Sequence, residues 1–164
     1  MSSRNALISC VSHTLKCLQI NLRHCKAASA NLAQLILDRS LDIILIQEPY
    51  AFPGLPPSIA NVLPGYCSFH ALTNDHAYGA AVIVRDSLAR LGKLVTRHHG
   101  NYAACVELRT KSGSLRFVSV YLRSSLPDLS SALVPVLYSL ASPSTIFGVN
   151  FHSLQTRQPP YVEQ

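Results

Sequence analysis

The sequence predicts an α+β fold in which mixed sheets pack as a sandwich. Three observations lead there. Near the N-terminus a strand, a helix and a second strand follow one another. Further on, two strands joined by a short turn read as an antiparallel hairpin. Two main helices accompany the strands, a mixture that argues against a purely parallel Rossmann sheet. With 164 residues, 48% hydrophobic and 13% charged, the chain fits one domain or most of one and is not a disordered polymer. It contains no Trp, so its core rests on Leu, Ile, Val and a few Phe and Tyr.

Residues 15–21 (LKCLQIN) alternate as a strand does and end on polar Asn21. Residues 27–39 place Ala28, Leu32, Leu35 and Ile36 on one helical face. Residues 43–46 (IILI) are continuously apolar and are closed by Gln47, Glu48 and Pro49. A run of that kind marks a strand buried on both faces. Residues 49–66 are rich in Pro and Gly and read as a long loop. Residues 79–84 (GAAVIV) form the next strand. Residues 105–108 and 115–121, separated by a turn at TKSGS, form the hairpin. A second helix opens at Ser125, with Asp128 at the capping-box spacing and Pro127 in its first turn, carries a leucine stripe to Leu140, and should kink at Pro135. Residues 144–149 (STIFGV) are the last strand.

The formal charge is +6, and the excess lies in the middle of the chain. There Arg85, Arg90, Lys93, Arg97, Arg109, Lys111, Arg116 and Arg123 face only Asp86 and Glu107. Such an excess favours a polyanionic partner through counterion release, or else forms a solvated surface. The five cysteines contain no C-x-x-C pair, which points to free thiols in a reducing compartment and away from zinc. The adjacent His98 and His99 suit an exposed turn better than joint metal ligation. The longest strongly apolar run, residues 43–46, is too short to cross a membrane, and the N-terminus makes a poor signal peptide.

Several strands end on chemically useful residues: Asn21, Glu48, Tyr121 and Asn150, with His152 just beyond the last. Each has a bland reading: Asn21 as a turn former, Glu48 as an exposed loop acid, Tyr121 as core. Strand ends converging on one sheet edge are also where sites are built. The ordered set LQINLRHCKAASANLAQLI, LDIILIQEPY, GAAVIVRDSL, CVELRTKSGSLRFVSVYL and TIFGVNFHSL resembles the endonuclease domain of non-LTR retrotransposons. That domain belongs to the endonuclease/exonuclease/phosphatase superfamily. The resemblance runs from about residue 15 to residue 154, over most of what reads as a single, incomplete domain spanning 1–164.

The resemblance implies a DNase I-like two-sheet sandwich and hydrolysis of a DNA phosphodiester with Mg²⁺. By residue match Glu48 would hold the metal and Asn21 would lie beside it. Mg²⁺ takes oxygen ligands, commonly one or two carboxylates plus water and phosphate. Tyr121 would orient the phosphate, and Arg123 and Arg116 would help hold the strand. DNA is the implied partner, with a covalently linked reverse transcriptase, no membrane and a nuclear setting.

Two departures stand out. The family's last block reads roughly G-x-D-x-N-A-H, and on GVNFHSL the Asp position is Asn150 and the Asn position is His152. An amide cannot accept a proton as a carboxylate does. Loss of a general base typically costs about 10²–10⁴-fold in rate. His152 is a replacement base in principle. Family domains also continue to a further strand and a phosphate-contacting His, so the C-terminal part of the fold is expected to be missing, with an open edge in the second sheet. The reading is therefore a DNA-nicking endonuclease by descent, catalytically impaired. The alternatives are a non-catalytic nucleic-acid-binding relic or domesticated module, and a phosphatase or abasic-site nuclease of the same superfamily.

Overall fold

The computed structural model describes residues 14–70, 72–73, 79–91, 93–99, 103–110, 113–122, 134 and 144–151, with backbone alone at 90–91, 93–99, 110 and 149–151. Among the described residues ten strands and two helices run β1 (Cys17–Asn21), α1 (Lys26–Arg39), β2 (Ile43–Gln47), β3 (Ala51–Phe52), β4 (Ser58–Ile59), β5 (Tyr66–His70), β6 (Ala80–Arg85), α2 (Asp86–Leu91), β7 (Lys93–His99), β8 (Ala103–Thr110), β9 (Gly113–Leu122) and β10 (Thr145–Phe151).

Two four-stranded sheets form the sandwich, ordered β1-β2-β6-β5 and β10-β9-β8-β7. Each has a parallel pair at one side: β1 beside β2, and β10 beside β9. The remaining pairings are antiparallel. The expected mixed sandwich is thus present.

The apolar run of β2 is buried at every position because layers lie on both of its faces. Ile44 and Ile46 join Leu32 and Ile36 of α1 and Ala81 and Ile83 of β6 in one core. Ile43 and Leu45 face the other way, with Val82 and Val84, toward Ala104, Val106, Phe117 and Tyr121 of the second sheet. Period-2 alternation sorts each strand's side chains between the two cores.

Helix α1 starts without a side-chain cap at Cys25 and is held by packing. Its C-terminus closes on Ser40 in the left-handed region, with Ser40 N–H donating to Leu37 O and Leu41 N–H to Ile36 O. That double closure is the Schellman arrangement, here with Ser where Gly is usual.

Several sequence expectations need correction. Residues 49–66 contain the short β3–β4 hairpin as well as loop. Strand β5, helix α2 and strand β7 were not anticipated. His98 and His99 lie in β7, paired with Ala104 and Ala103, and not in a turn. The helix expected over residues 125–140 lies almost wholly outside the described residues, as do Arg123 and His152.

Candidate active site

Parallel pairing brings chemistry to one edge. In register, Asn21 stands opposite Gln47 at the C-terminal ends of β1 and β2. On the second sheet Asn150 stands opposite Tyr121 at the C-terminal ends of β10 and β9. The two edges are joined by Gln47, which is fully buried. Its Nε2 donates to Ser119 Oγ at 2.9 Å and to Gly148 O at 3.1 Å, while Ser119 Oγ donates to Ile46 O at 2.8 Å. Gln47 Oε1 is buried with no hydrogen-bond partner among the described residues.

Gly148 is where β10 comes closest to the first sheet. A Cβ there would lie 2.9 Å from Leu45 Cδ1, 3.0 Å from Leu45 Cβ and 3.2 Å from Gln19 Cγ. A residue without a side chain lets β10 approach β1 and β2 this closely. Asn150 follows two residues later.

Glu48 follows β2 in a left-handed conformation (φ 48°). A non-glycine residue there stores strain of order 1–3 kcal/mol, and such strain clusters at functional sites. The conformation is fixed on both sides: Glu48 N–H donates to Gly79 O at 2.9 Å, and Glu48 O accepts from His24 N–H at 3.0 Å. The side chain is no exposed loop acid, since Glu48 is 7% exposed. Asn21 Nδ2 donates to Glu48 Oε1 at 3.3 Å. Asn21 Oδ1 accepts from Arg23 N–H at 2.8 Å, an Asx turn. Asn21 is therefore both a turn former and the group that orients Glu48, and it meets the carboxylate through its N–H.

The loop after β1 supplies a residue the sequence reading missed. Arg23 (φ 48°) and His24 (φ 52°) are both left-handed and turn the chain over the end of β2. His24 Nδ1 lies 3.0 Å from Pro49 O, and His24 Nε2 lies 3.9 Å from Glu48 Oε2. No motif signalled this, because RHCK reads as an ordinary polar loop.

Tyr121 is 5% exposed and belongs to the inter-sheet core. Asn150 is at the edge by backbone register, and His152 falls outside the described residues. Arg116 is not brought to this edge. It lies five residues before Tyr121, roughly 17 Å along the strand, and its Nε is 3.1 Å from Glu107 Oε2. Arg109 pairs with the same carboxylate at 2.7 Å, and Arg85 pairs with Asp42 at 3.2 Å. Three cations of the basic middle segment are thus engaged in ion pairs.

The donor set suits a hard divalent cation that keeps most of its water. Glu48 offers a buried carboxylate, and among the described residues no three His, Cys, Asp or Glu side chains cluster to form an all-protein cage. Mg²⁺ is commonly held that sparsely.

A family model described as the Endonuclease/Exonuclease/phosphatase family matches residues 18–161. The chain belongs to this family. As an endonuclease/exonuclease/phosphatase-family protein it falls in a superfamily that generally depends on a divalent metal. Its structure is similar to the endonuclease domain of TRAS1, a telomere-specific non-LTR retrotransposon, with 26% identity and a TM-score of 0.63 over 84% of this chain and 58% of that one. It also shares the fold of a family protein from Leptotrichia buccalis C-1013-b, at 14% identity and a TM-score of 0.56, covering 84% and 66% of the two chains. A humanized D. rerio TDP2 with 14 mutations follows at 13% identity and a TM-score of 0.53, covering 81% and 59%. The chain thus spans 58–66% of the length of these structures. No curated protein matched the sequence.

Proposed function

We propose that this family member is a DNA-nicking endonuclease of the non-LTR retrotransposon type whose hydrolytic step is impaired. The observation that carries the reading is the Asn21–Glu48 pair at the joined ends of β1 and β2, beside the Gln47–Gly148 hydrogen bond that links this edge to β10. Glu48 is the metal-holding carboxylate, and Asn21 fixes its orientation through Oε1. When bound, Mg²⁺ neutralises charge that builds on the phosphate oxygens. Tyr121 helps orient the phosphate. Asn150 occupies the position from which a carboxylate would orient the attacking water. Its amide cannot take the water's proton.

Likeness to the TRAS1 domain supports a nucleic-acid substrate and linkage to a reverse transcriptase; DNA as that substrate and a nuclear setting belong to the same proposal. Plasmid nicking with Mg²⁺, measured beside DNA affinity over a salt series, tests the reading. The expected result is salt-sensitive binding with slow nicking that vanishes in Glu48→Ala. Salt-sensitive binding with no nicking by either folded chain identifies a non-catalytic binding module. Preference for a small phosphoester or an abasic site over intact duplex assigns one of the other superfamily activities.

A further inference from the structure

We propose that Phe52 and Leu55 form an apolar wedge that enters a base step of duplex DNA beside the Glu48 edge. This rests on the reading above that DNA is the substrate.

The hairpin that carries them packs through its other face. Ala51 pairs with Ile59, and Phe52 with Ser58. Alternation turns Ala51 and Ile59 into the core that holds Leu32 and Ile36 of α1, and turns Phe52 and Ser58 outward. Phe52 is 48% exposed, and Leu55 at the tip is 95% exposed. Single exposed apolar residues are ordinary, but two large ones on one short hairpin mark a contact surface.

The hairpin is also stiff. Pro53, Pro56 and Pro57 fix three φ angles in its tip. Pro57 is buried and anchors the returning strand. At the foot, Ala60 N–H donates to Tyr50 O at 2.9 Å, and Ser29 Oγ of α1 donates to Ala60 O at 3.2 Å. The Tyr50 and Phe52 rings meet edge-on, with centroids 5.7 Å apart and planes at 79°, which orients the Phe52 ring.

The surroundings select nucleic acid over an apolar protein partner. The hairpin springs from Pro49, whose carbonyl oxygen lies 3.0 Å from His24 Nδ1. The β1–α1 loop therefore lies alongside, and at its end stand the exposed cations Arg23 and Lys26. The first turn of α1 holds no acidic residue. Cations beside exposed Phe and Leu suit a phosphate backbone and an opened base step together. Phe52 is four residues beyond Glu48, roughly 14 Å at full extension, so the wedge falls within about four base pairs of the candidate site.

The test is DNA affinity over a salt series, for a fully paired duplex and the same duplex with one mismatch. A mismatch lowers the cost of unstacking, so a wedge prefers it. The chains are wild type, Leu55→Ser, Phe52→Ser with Leu55→Ser, and Arg23→Gln with Lys26→Gln. Far-UV dichroism and sedimentation velocity check each for folding and association. The wild type should prefer the mismatched duplex. Both serine variants should lose affinity, the double variant by about 5- to 100-fold, and should lose the preference at an unchanged salt slope. The Arg23→Gln, Lys26→Gln chain should keep the preference and lose about two from the slope. Equal binding of both duplexes by the wild type, with the serine variants unchanged, overturns the wedge and leaves the DNA reading standing. Self-association of the wild type that the serine substitutions abolish, with DNA affinity unchanged, overturns it too and makes the tip a contact between copies. Absence of salt-sensitive DNA binding by the folded wild type overturns both readings.

Discussion

Gln47 Nε2 lies 3.1 Å from the carbonyl oxygen of Gly148, and that contact ties the edge of one sheet that carries Glu48 to the edge of the other. Glu48 is covalently next to Gln47, and Asn150 is two residues beyond Gly148. The spacing between the proposed metal-holding and water-orienting positions is therefore set inside the core.

Gln47→Ala should lower stability by about 1–3 kcal/mol in urea denaturation. The change strips Gly148 O of a buried donor and leaves a cavity. Removing the orphaned Oε1 offsets part of the loss. A value within about 0.3 kcal/mol of zero would mean that the inter-sheet bond does not hold this edge.

Gly148→Ala should be destabilising by roughly 1–3 kcal/mol through overpacking. The new methyl meets Leu45 Cβ at 3.0 Å as well as the mobile Leu45 Cδ1 at 2.9 Å, so a rotamer change alone does not clear it. Leu45→Ala in the same chain should recover part of the loss, giving a non-additive double-mutant cycle. Strict additivity would contradict direct contact at this point.

Glu107 should govern part of the acid limb of stability. The Arg109 hydrogen bond holds its carboxyl below the ordinary value near 4.5 against the opposing effect of burial, and Arg116 adds to the lowering. A carboxyl depressed in the folded chain contributes stability that is fully present above its unfolded value and is lost as pH falls through the folded one. Unfolding measured from pH 7 down to about 3 should steepen below about 4.5 in the wild type. Glu107→Gln should be less stable at neutral pH, with the two curves converging in acid. Parallel curves would remove the ion pairs from the account.

Strand β2 was legible because an uninterrupted IILI run needs burial on two faces, and both cores are present. Asn21, Glu48 and Asn150 were legible as polar ends of strands, since parallel pairing carries such ends to one edge. Strands β5 and β7 were not. YCSFH is half-buried throughout, so pairing more than burial defines it as a strand, and KLVTRHH mixes charge with apolar residues and shows no clean alternation. The ion pair of Arg116 was not legible, because net charge does not reveal a partner such as Glu107 on the neighbouring strand. His24 was invisible because two left-handed residues, which no local pattern announces, bring it to Glu48.

In the proposed reading, residue 150 limits an otherwise built site. Supercoiled-plasmid nicking with Mg²⁺ tests it most directly, comparing the wild type, Asn150→Asp and Asn150→Asp with Glu48→Ala, each shown folded by far-UV dichroism. Asn150→Asp should nick about 10²–10⁴-fold faster than the wild type, and adding Glu48→Ala should abolish the gain. A wild type that nicks as fast as Asn150→Asp, or a gain that survives Glu48→Ala, would contradict it.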